Sequence, residues 1–302
     1  MGDIGIPSRD ASIRLPSGRR LAYAEWGDPD GRPVFYFHGM PHARTFFPDP
    51  EAAAEVGVRA LTVDRPGVGR SDPQPAHRVG DWPADVETLA DRLGLERYAV
   101  IGWSAGVAYA LACAAITPER LTGVGVTTSN AALAYLIDDD PELRASWLDD
   151  GDRRILAALP RGLEAAADLV APVAGAWAAS LSVRPEEVLE GRIDRGDEWF
   201  FDDPARRGAY LRAVQEGVRQ GATGVAPQWV ALLAPWGFRL EEIHMPVRIW
   251  AGALDGETPP EMMGRLAERI SDHTLTVWPD VGHLGVARHL REVLVQVCDL
   301  AV

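Results

Sequence analysis

The chain has 302 residues, enough for one large domain or for a domain with a substantial insertion. Its 30 basic residues are all arginine and are outnumbered by 44 acidic residues, so the net charge is −14, and we expect neither nucleic acid nor a membrane surface as a partner. The two cysteines, Cys113 and Cys298, are far apart and no cysteine–histidine ligand spacing occurs, so we expect free thiols and no metal site.

The N-terminal third of the chain contains strand patterns separated by turn-rich loops. Residues 1–18 lack the apolar core of a secretory signal, and we therefore expect a cytoplasmic protein. Two short strand-like runs follow between residues 12 and 31, separated by a Pro-Ser-Gly turn that is typical of a β-hairpin. The apolar runs 33–37 and 58–64 each precede a glycine-containing loop, HGMPHAR and RPGVGRSD.

The next segment alternates helices and strands. Residues 82–95 have one apolar helical face, whereas residues 105–116 are apolar almost all round, as a buried helix is. Residues 98–103 and 121–128 are continuous apolar runs that predict buried strands. Strands that are apolar on both faces and alternate with helices predict a parallel sheet that is covered by helices on both sides.

The alternation stops after Ser129 and resumes near residue 245. Beyond that point we expect strands and helices in alternation, at residues 245–252, 259–270, 273–278 and 287–300. The intervening residues show helical periodicity, proline breaks and acidic clusters, so they predict a helical insertion that acts as a lid. The expected division is therefore a core of residues 1–129 and 241–302 with a lid of residues 130–240.

Ser104 lies in the segment GWSAG, between a buried strand pattern and an apolar helix pattern. A sharp strand-to-helix turn there would expose the hydroxyl at the carboxyl edge of the sheet, where ligands bind. Such a turn brings the residues two before and two after the serine close to neighbouring strands, and this favours Gly102 and Gly106. The pattern predicts a nucleophilic serine with positive φ, followed by a helix whose N-terminal N–H groups face a developing oxyanion.

Four pieces of the sequence, in this order, resemble the α/β-hydrolase fold family: FHGMP, DRPGVGRSD, GWSAG, and two C-terminal loops that carry an aspartate and a histidine. The resemblance covers approximately residues 20–128 and 244–299. Within the family, the chain looks most like soluble serine esterases, perhydrolases and proline-iminopeptidase-like enzymes. The resemblance implies a mostly parallel eight-stranded sheet flanked by helices, with a helical lid inserted after the sixth strand and no cofactor.

The base and the acid are expected on the loops after the last two strand patterns. Asp255 follows the run 245–252, and His283 follows the run 273–278. A histidine activates a serine hydroxyl when a carboxylate fixes its tautomer. Ser104, Asp255 and His283 therefore form the predicted triad, in the chain order of the family, and activity should rise through a pKa of roughly 6–7.

The oxyanion hole and the substrate pocket are predicted around this triad. The backbone N–H of Ala105 is one expected donor, and the resemblance implies that of Met40 as the second. Met40 departs from the HGG form of many family esterases, and its flexible apolar side chain would narrow the pocket. The candidate substrate contacts are His42, Trp103, Trp199 and Phe200, each of which could instead serve only packing or face solvent.

The sequence leaves other roles open. The charged residues Arg44, Asp64, Arg65 and Asp72 could bind substrate, although an ion-pair network under the oxyanion loop is the favoured interpretation. The leading hypothesis is a serine hydrolase that cleaves a small or medium carboxylic ester through an acyl-enzyme. The alternatives are aminopeptidase, C–C hydrolase, perhydrolase, lyase or cyclase chemistry with the same triad, or a non-catalytic ligand-binding protein. The expected partner is a small-molecule substrate, and a homodimer is left open.

Overall fold

Eight strands form one sheet in the order β1-β2-β4-β3-β5-β6-β7-β8 in the computed structural model, which describes residues 6–129, 142, 146–191 and 193–299. Strand β2 is antiparallel to both of its neighbours, and the remaining neighbouring pairs are parallel. This topology confirms the predicted fold class. The strands are Arg9–Arg14 (β1), Arg20–Gly27 (β2), Arg32–Phe37 (β3), Val58–Val63 (β4), Tyr98–Trp103 (β5), Leu121–Thr127 (β6), Val247–Gly252 (β7) and His273–Trp278 (β8).

Helices cover both faces of the sheet. Successive side chains of a strand point to opposite faces, so Phe35 and Phe37 of β3 enter one apolar core while Val34 and Tyr36 enter the other. The α-helices whose bounds the structure describes are Pro50–Glu55 (α1), Trp82–Arg92 (α2), Gly106–Ile116 (α3), Asp150–Ala158 (α4), Leu163–Val183 (α5), Glu198–Phe201 (α6), Pro204–Gly217 (α7), Ala222–Leu233 (α8), Pro260–Glu268 (α9) and Gly285–Cys298 (α10). The first core includes helices α2, α3 and α9, and the second includes α1 and α10.

Helices α4 to α8 lie between β6 and β7 and contribute to a third apolar core. Helix α5 buries the row Ala166, Val170, Ala174 and Ala178, whose spacing of four residues places them on one face. These small side chains allow close packing against α8. By length and composition alone α5 could cross a membrane, but it contains Pro172 and this buried row. Residues 130–141 and 143–145, the start of the predicted lid, lie outside the described residues, so its boundaries stay a prediction.

Candidate active site

Ser104 occupies a strained turn between β5 and α3. Its φ of +54° lies in the left-handed region that side chains other than glycine rarely adopt. A Cβ on Gly102 would lie 2.5 Å from the carbonyl oxygen of Gly106, and a Cβ on Gly106 would overlap the carbonyl oxygen of Phe37. The Ser104 N–H donates to the carbonyl of Thr128 at 2.9 Å, which ties the turn to the end of β6. The turn therefore has the geometry that the GWSAG segment predicts.

Asp255 and His283 form a hydrogen-bonded pair on the loops after β7 and β8. The Nδ1 of His283 lies 2.9 Å from Oδ2 of Asp255, so an Nδ1–H donates to the carboxylate and leaves Nε2 for another partner. Asp255 also accepts hydrogen bonds from the backbone N–H of Thr258 at 2.7 Å and from its hydroxyl at 2.5 Å. The carboxylate therefore has one orientation, and the imidazole is aligned with it.

The electrostatics of the pair favour its charged form. Burial alone raises the pKa of Asp255, but the adjacent imidazole of His283 and the donors of Thr258 hold that pKa below its usual value. Burial alone lowers the pKa of His283, but the Asp255 carboxylate more than offsets this effect and raises it above the ordinary imidazole value. The pair is therefore built to stabilise an imidazolium ion, which forms when a histidine accepts a proton.

Ser104 and His283 line the same small cavity, together with Met40, His42 and Trp103. Within the part of the chain that the structure describes, the Ser104 hydroxyl and the imidazole form no direct hydrogen bond. Catalytic hydrogen bonds of this kind are often long in the absence of substrate and shorten when it binds. The structure thus brings the predicted nucleophile, base and acid to one end of the sheet.

The loop after β3 approaches Ser104 closely. A Cβ on Gly39 would lie 3.0 Å from Cβ of Ser104, so the next residue, Met40, lies beside the serine. The fully buried guanidinium of Arg65 supports this loop by donating to the carbonyl of His38 at 2.6 Å and to that of Gly39 at 3.3 Å. The predicted donors, the N–H groups of Met40 and Ala105, therefore belong to two segments that are held against each other.

Gln228, in helix α8 of the helical insertion, supports Arg65. The Nε of Arg65 donates to the side-chain oxygen of Gln228 at 2.7 Å, and the Arg65 guanidinium lies 5.0 Å from the ring centre of Tyr109. Gln228 was not predicted from the sequence, because a glutamine in an apolar helix has no motif around it. Its position amid buried apolar residues, where a polar side chain requires a partner, was the available signal.

The other charged residues form two separate groups. Arg44 is buried and donates to Asp64 at 2.7 Å, to Asp10 at 2.7 Å and to Glu216 at 2.8 Å. Asp72 instead pairs with Arg20 near the surface at 3.1 Å. None of these six side chains is among the described residues that line the Ser104 cavity. The favoured interpretation, a structural ion-pair network, therefore holds for Arg44 and Asp64, whereas Asp72 is not part of it.

His42 is buried next to the cavity and is neutral. Its ring packs against Phe46, Trp103 and Tyr210, with ring centres 5.0, 5.1 and 4.3 Å away. Burial, followed by the charges of His283 and Arg65, lowers the pKa of His42 to about 3. Neither of its ring nitrogens has a hydrogen-bond partner among the described residues.

The aromatic residues Trp199, Phe200 and Phe201, predicted either to line an acyl pocket or to anchor the lid, lie in the segment DEWFFDDP, residues 197–204. Phe201 lines the cavity, whereas Trp199 and Phe200 are not among its described lining residues. The ring centre of Trp199 lies 5.0 Å from the guanidinium group of Arg206 and 5.9 Å from that of Arg288. Phe200 is buried in the second core of the sheet. Three consecutive aromatic residues in a four-residue helix point in different directions, and sequence cannot tell which one faces the site.

The described ranges 6–129, 142, 146–191 and 193–299 contain no group of three or more His, Cys, Asp or Glu side chains that could hold a metal ion. Cys113 is buried in α3, and burial raises the pKa of its thiol above the ordinary value. The chemistry that the described site can perform therefore rests on Ser104, the Asp255–His283 pair and the surrounding backbone amides.

The fold and the site together define a class of α/β protein, one with a strand-to-helix nucleophile turn at the carboxyl edge of a parallel sheet. A sequence model of the α/β hydrolase fold matches residues 32–289. The chain therefore belongs to the α/β hydrolase fold family.

Individual relatives share part of the chain or its overall fold. The chain is 32% identical over 133 residues to a proline iminopeptidase from Neisseria gonorrhoeae, a match that spans 41% of each protein. A solved hydrolase from Pseudomonas aeruginosa has a TM-score of 0.67 at 17% identity and covers 97% of this chain and 99% of its own. A thermophilic esterase from Thermogutta terrifontis has a TM-score of 0.66 at 24% identity, with coverage of 96% and 99%. At these identities the solved structures establish the fold.

Proposed function

We propose that the protein is a serine hydrolase that cleaves a small or medium carboxylic ester through an acyl-enzyme intermediate. The observation that carries this proposal is the convergence on one cavity of a strained Ser104 and the Asp255-paired His283. A serine at positive φ is costly to the folded chain, and such strain is concentrated at functional sites. A carboxylate-paired histidine beside it has the orientation that serine activation requires.

Each site group has a defined role at each step of the proposed reaction. Nε2 of His283 removes the proton from Oγ of Ser104 as Oγ attacks the ester carbonyl, and Asp255 stabilises the resulting imidazolium. The backbone N–H groups of Met40 and Ala105 donate to the oxyanion of the tetrahedral intermediate. His283 then protonates the leaving alcohol. Water, activated by the same imidazole, releases the acid from Ser104 and regenerates the enzyme.

The space around the site supports a medium-sized substrate. A cavity of about 610 Å³ shares Met40 and Glu257 with the smaller cavity at Ser104, and its apolar walls include Trp177 and Trp229. Cavities of roughly 300–1,000 Å³ hold typical small-molecule ligands. Met40 lies at the junction, so the reactive carbonyl would sit beside Ser104 while one apolar substituent extends into the larger cavity.

In this proposal, the side chain of His42 makes a polar contact with the substrate. A neutral imidazole offers one donor and one acceptor, and both nitrogens of His42 lack a partner among the described residues. Because a buried polar group without a hydrogen bond is unfavourable, a substrate oxygen near Ser104 would be stabilised by this ring. Trp103 forms the apolar wall on the same side.

A second candidate is aminopeptidase activity. The larger cavity is lined by one arginine, Arg154, and by four acidic residues, Asp149, Asp150, Asp152 and Glu257, and this net acidic lining favours a substrate that carries an amine. The similarity to a protein named proline iminopeptidase points in the same direction, although it spans less than half of that protein. The triad chemistry would be unchanged, with an amine in place of the alcohol as the leaving group.

The test uses a fluorophosphonate probe and two substrate panels. We expect the probe to label the wild-type protein at Ser104 and to leave Ser104→Ala unlabelled while that variant remains folded. We expect p-nitrophenyl esters of short and medium acyl chains to be cleaved much faster than aminoacyl p-nitroanilides, including that of proline. Faster cleavage of the anilides would favour the aminopeptidase. Absence of labelling in the wild type would contradict both candidates.

A further inference from the structure

Two carboxylates of the helical insertion bind the backbone of the histidine loop. Oδ1 of Asp197 accepts a hydrogen bond from the N–H of Gly282 at 3.0 Å, and its Oδ2 accepts one from that of Leu284 at 2.8 Å. Oδ2 of Asp194 accepts one from the N–H of His283 at 3.3 Å. Three consecutive amide groups, centred on His283, therefore donate to side chains that lie more than eighty residues earlier in the chain.

Asp194 also reaches the loop of the catalytic acid. Its Oδ1 accepts a hydrogen bond from the N–H of Gly256, the residue after Asp255, at 3.0 Å. One carboxylate thus connects the two loops whose side chains form the Asp255–His283 pair. The contact requires a close approach, because a Cβ on Gly282 would lie 2.7 Å from Oδ2 of Asp197 and would overlap the side chain of Asp194.

Asp197 is buried, and both of its carboxylate oxygens accept hydrogen bonds. The residue is 2% exposed. Burial raises the pKa of its carboxyl to about 6, although the amides of Leu284 and Gly282 and the nearby His283 act to lower it. Both oxygens accept backbone N–H groups, and hydrogen bonds to a charged carboxylate are stronger than those between neutral groups.

We propose that Asp194 and Asp197 are positioning residues, which hold the His283 loop in register with the Asp255 loop so that the imidazole faces Ser104. The inference rests on the proposed function, because it assigns a role relative to that reaction. The physical reason is the narrow geometric tolerance of proton transfer, for which a displacement of about 1 Å can reduce the rate about 100-fold. The two loops are also joined directly by the N–H of Leu254, which donates to the carbonyl of Val281 at 3.0 Å, and the carboxylates add the hydrogen bonds to the amides of residues 282–284.

The cavity raises one competing role for Asp197. Its side chain also lines the cavity with Ser104, so it could bind a positively charged group of a substrate. Both of its oxygens, however, already accept backbone amides, and their directions are fixed by the loop. The two roles differ in what they change: positioning affects the reaction of every substrate, whereas charge recognition affects the binding of cationic substrates alone.

The experiment compares Asp197→Asn and Asp194→Asn with a matched control, Asp202→Asn, which alters an exposed carboxylate in the same segment. An asparagine keeps the size of the side chain but directs an NH₂ group at one backbone N–H, so the loop loses one hydrogen bond and gains a repulsive contact. Three quantities are measured: the rate of labelling by an uncharged fluorophosphonate, kcat and KM for the best p-nitrophenyl ester and for the cationic aminoacyl p-nitroanilides, and amide hydrogen exchange at residues 282–284.

We expect Asp197→Asn to lower the labelling rate and kcat by roughly 10- to 100-fold with KM nearly unchanged, and Asp194→Asn to do so by a smaller factor. Exchange at residues 282–284 should accelerate in both variants, and the control should stay within about twofold of wild type. Asp194→Asn keeps the test valid if Asp197→Asn does not fold. Wild-type labelling rates in both variants would overturn the positioning role, as would a raised KM confined to cationic substrates. An unlabelled wild type would instead overturn the proposed function itself.

Discussion

The two halves of the site are held in place by different physical means. The nucleophile half, formed by the turn at Ser104 and the loop at Gly39, is enclosed by close contacts between backbone segments of the central strands. The acid–base half, formed by the loops of Asp255 and His283, lies after β7 and β8 at the edge of the sheet, where most of β8 is exposed. That half depends on hydrogen bonds, several of which come from the insertion.

This difference has consequences for substitution. Where close packing fixes a segment, an added methyl group is harmful and a change of charge elsewhere has little effect. Where hydrogen bonds fix a segment, a substitution that keeps the size but changes a donor or acceptor is harmful. The nucleophile half, called the packed half below, should therefore lose activity when a side chain becomes larger. The acid–base half, called the polar half below, should lose activity when a polar atom is exchanged for another of the same size.

Gly106→Val is the strongest test of the packed half. Its Cβ would overlap the carbonyl oxygen of Phe37, and the backbone of β3 cannot move without disturbing the centre of the sheet. We expect little or no soluble folded protein and no activity. Gly264→Val, at a helical glycine with open space around its Cβ, is the matched control and should express normally. A folded and active Gly106→Val protein, judged by thermal unfolding and circular dichroism, would show that the turn is not tightly packed.

Asp255→Asn tests the polar half with a change of one atom type. The amide should retain the hydrogen bonds from the loop backbone but present an NH₂ group to Nδ1 of His283, which favours the wrong tautomer. We expect kcat to fall by roughly 10³- to 10⁴-fold with little change in thermal stability. Asp280→Asn, at an exposed aspartate on the neighbouring turn, should be nearly neutral.

If Asp255 serves only to shape its turn, the outcome is different. Asparagine favours the same turn geometries as aspartate, so activity would then fall by less than about tenfold. Steady-state kinetics on the two variants separates these readings, because the expected losses differ by two orders of magnitude or more.

The packed half was also the more predictable from sequence. The glycines at 102 and 106 and the buried run before Ser104 are neighbours in the chain, so a local pattern specified the turn, its positive φ and its place in the sheet. The strands of the sheet were likewise indicated by continuous apolar runs. These features depend on residues that are close together in the sequence, so a short segment is enough to predict them.

In the polar half, the sequence predicted only the acid and the base and none of the residues that hold their loops in place. Asp255 and His283 were indicated by their loops, but Asp194 and Asp197 were not, because an aspartate in an acidic, turn-rich segment has many possible partners. Their partners are backbone amides, which every residue except proline possesses and which leave no trace in sequence. The contribution of Thr258 to the acid was missed for a similar reason, since its hydroxyl acts only through the fold of a short turn.

Arg65→Met tests whether the packed half also depends on one polar group. The methionine would leave the buried carbonyl of His38 without its donor and the carbonyl of Gly39 with only Nδ1 of His38, at 2.8 Å, so the loop that carries Met40 should lose its fixed position. Because one oxyanion donor is worth about 10²–10³ in kcat, a displaced one should cost roughly 10- to 100-fold. The unsatisfied His38 carbonyl should also lower the free energy of unfolding by about 1–3 kcal/mol.

The control for this substitution is Arg92→Met, at an exposed arginine near the end of α2, which should leave kcat and the urea midpoint almost unchanged. An Arg65→Met protein with wild-type kcat would mean that backbone packing alone holds the oxyanion loop. The contrast between the two halves would then be sharper than the present structure suggests.

The pH dependence gives the smallest effect and bears on the polar half alone. His283 must be unprotonated to accept the serine proton, so kcat/KM should rise with pH and fall about tenfold for each unit below the controlling pKa. Burial lowers the pKa of His283, but the Asp255 carboxylate outweighs burial and raises it. The midpoint should therefore lie above the range of roughly 6–7 that the sequence alone predicts. In Asp255→Asn the residual activity should have its midpoint shifted downward, because burial then acts without the compensating charge.

Profiles of kcat/KM for both proteins, measured from about pH 5 to about pH 10, check both directions. A wild-type midpoint at or below 6.5, or an unshifted midpoint in the variant, would show that Asp255 does not control the charge of the base.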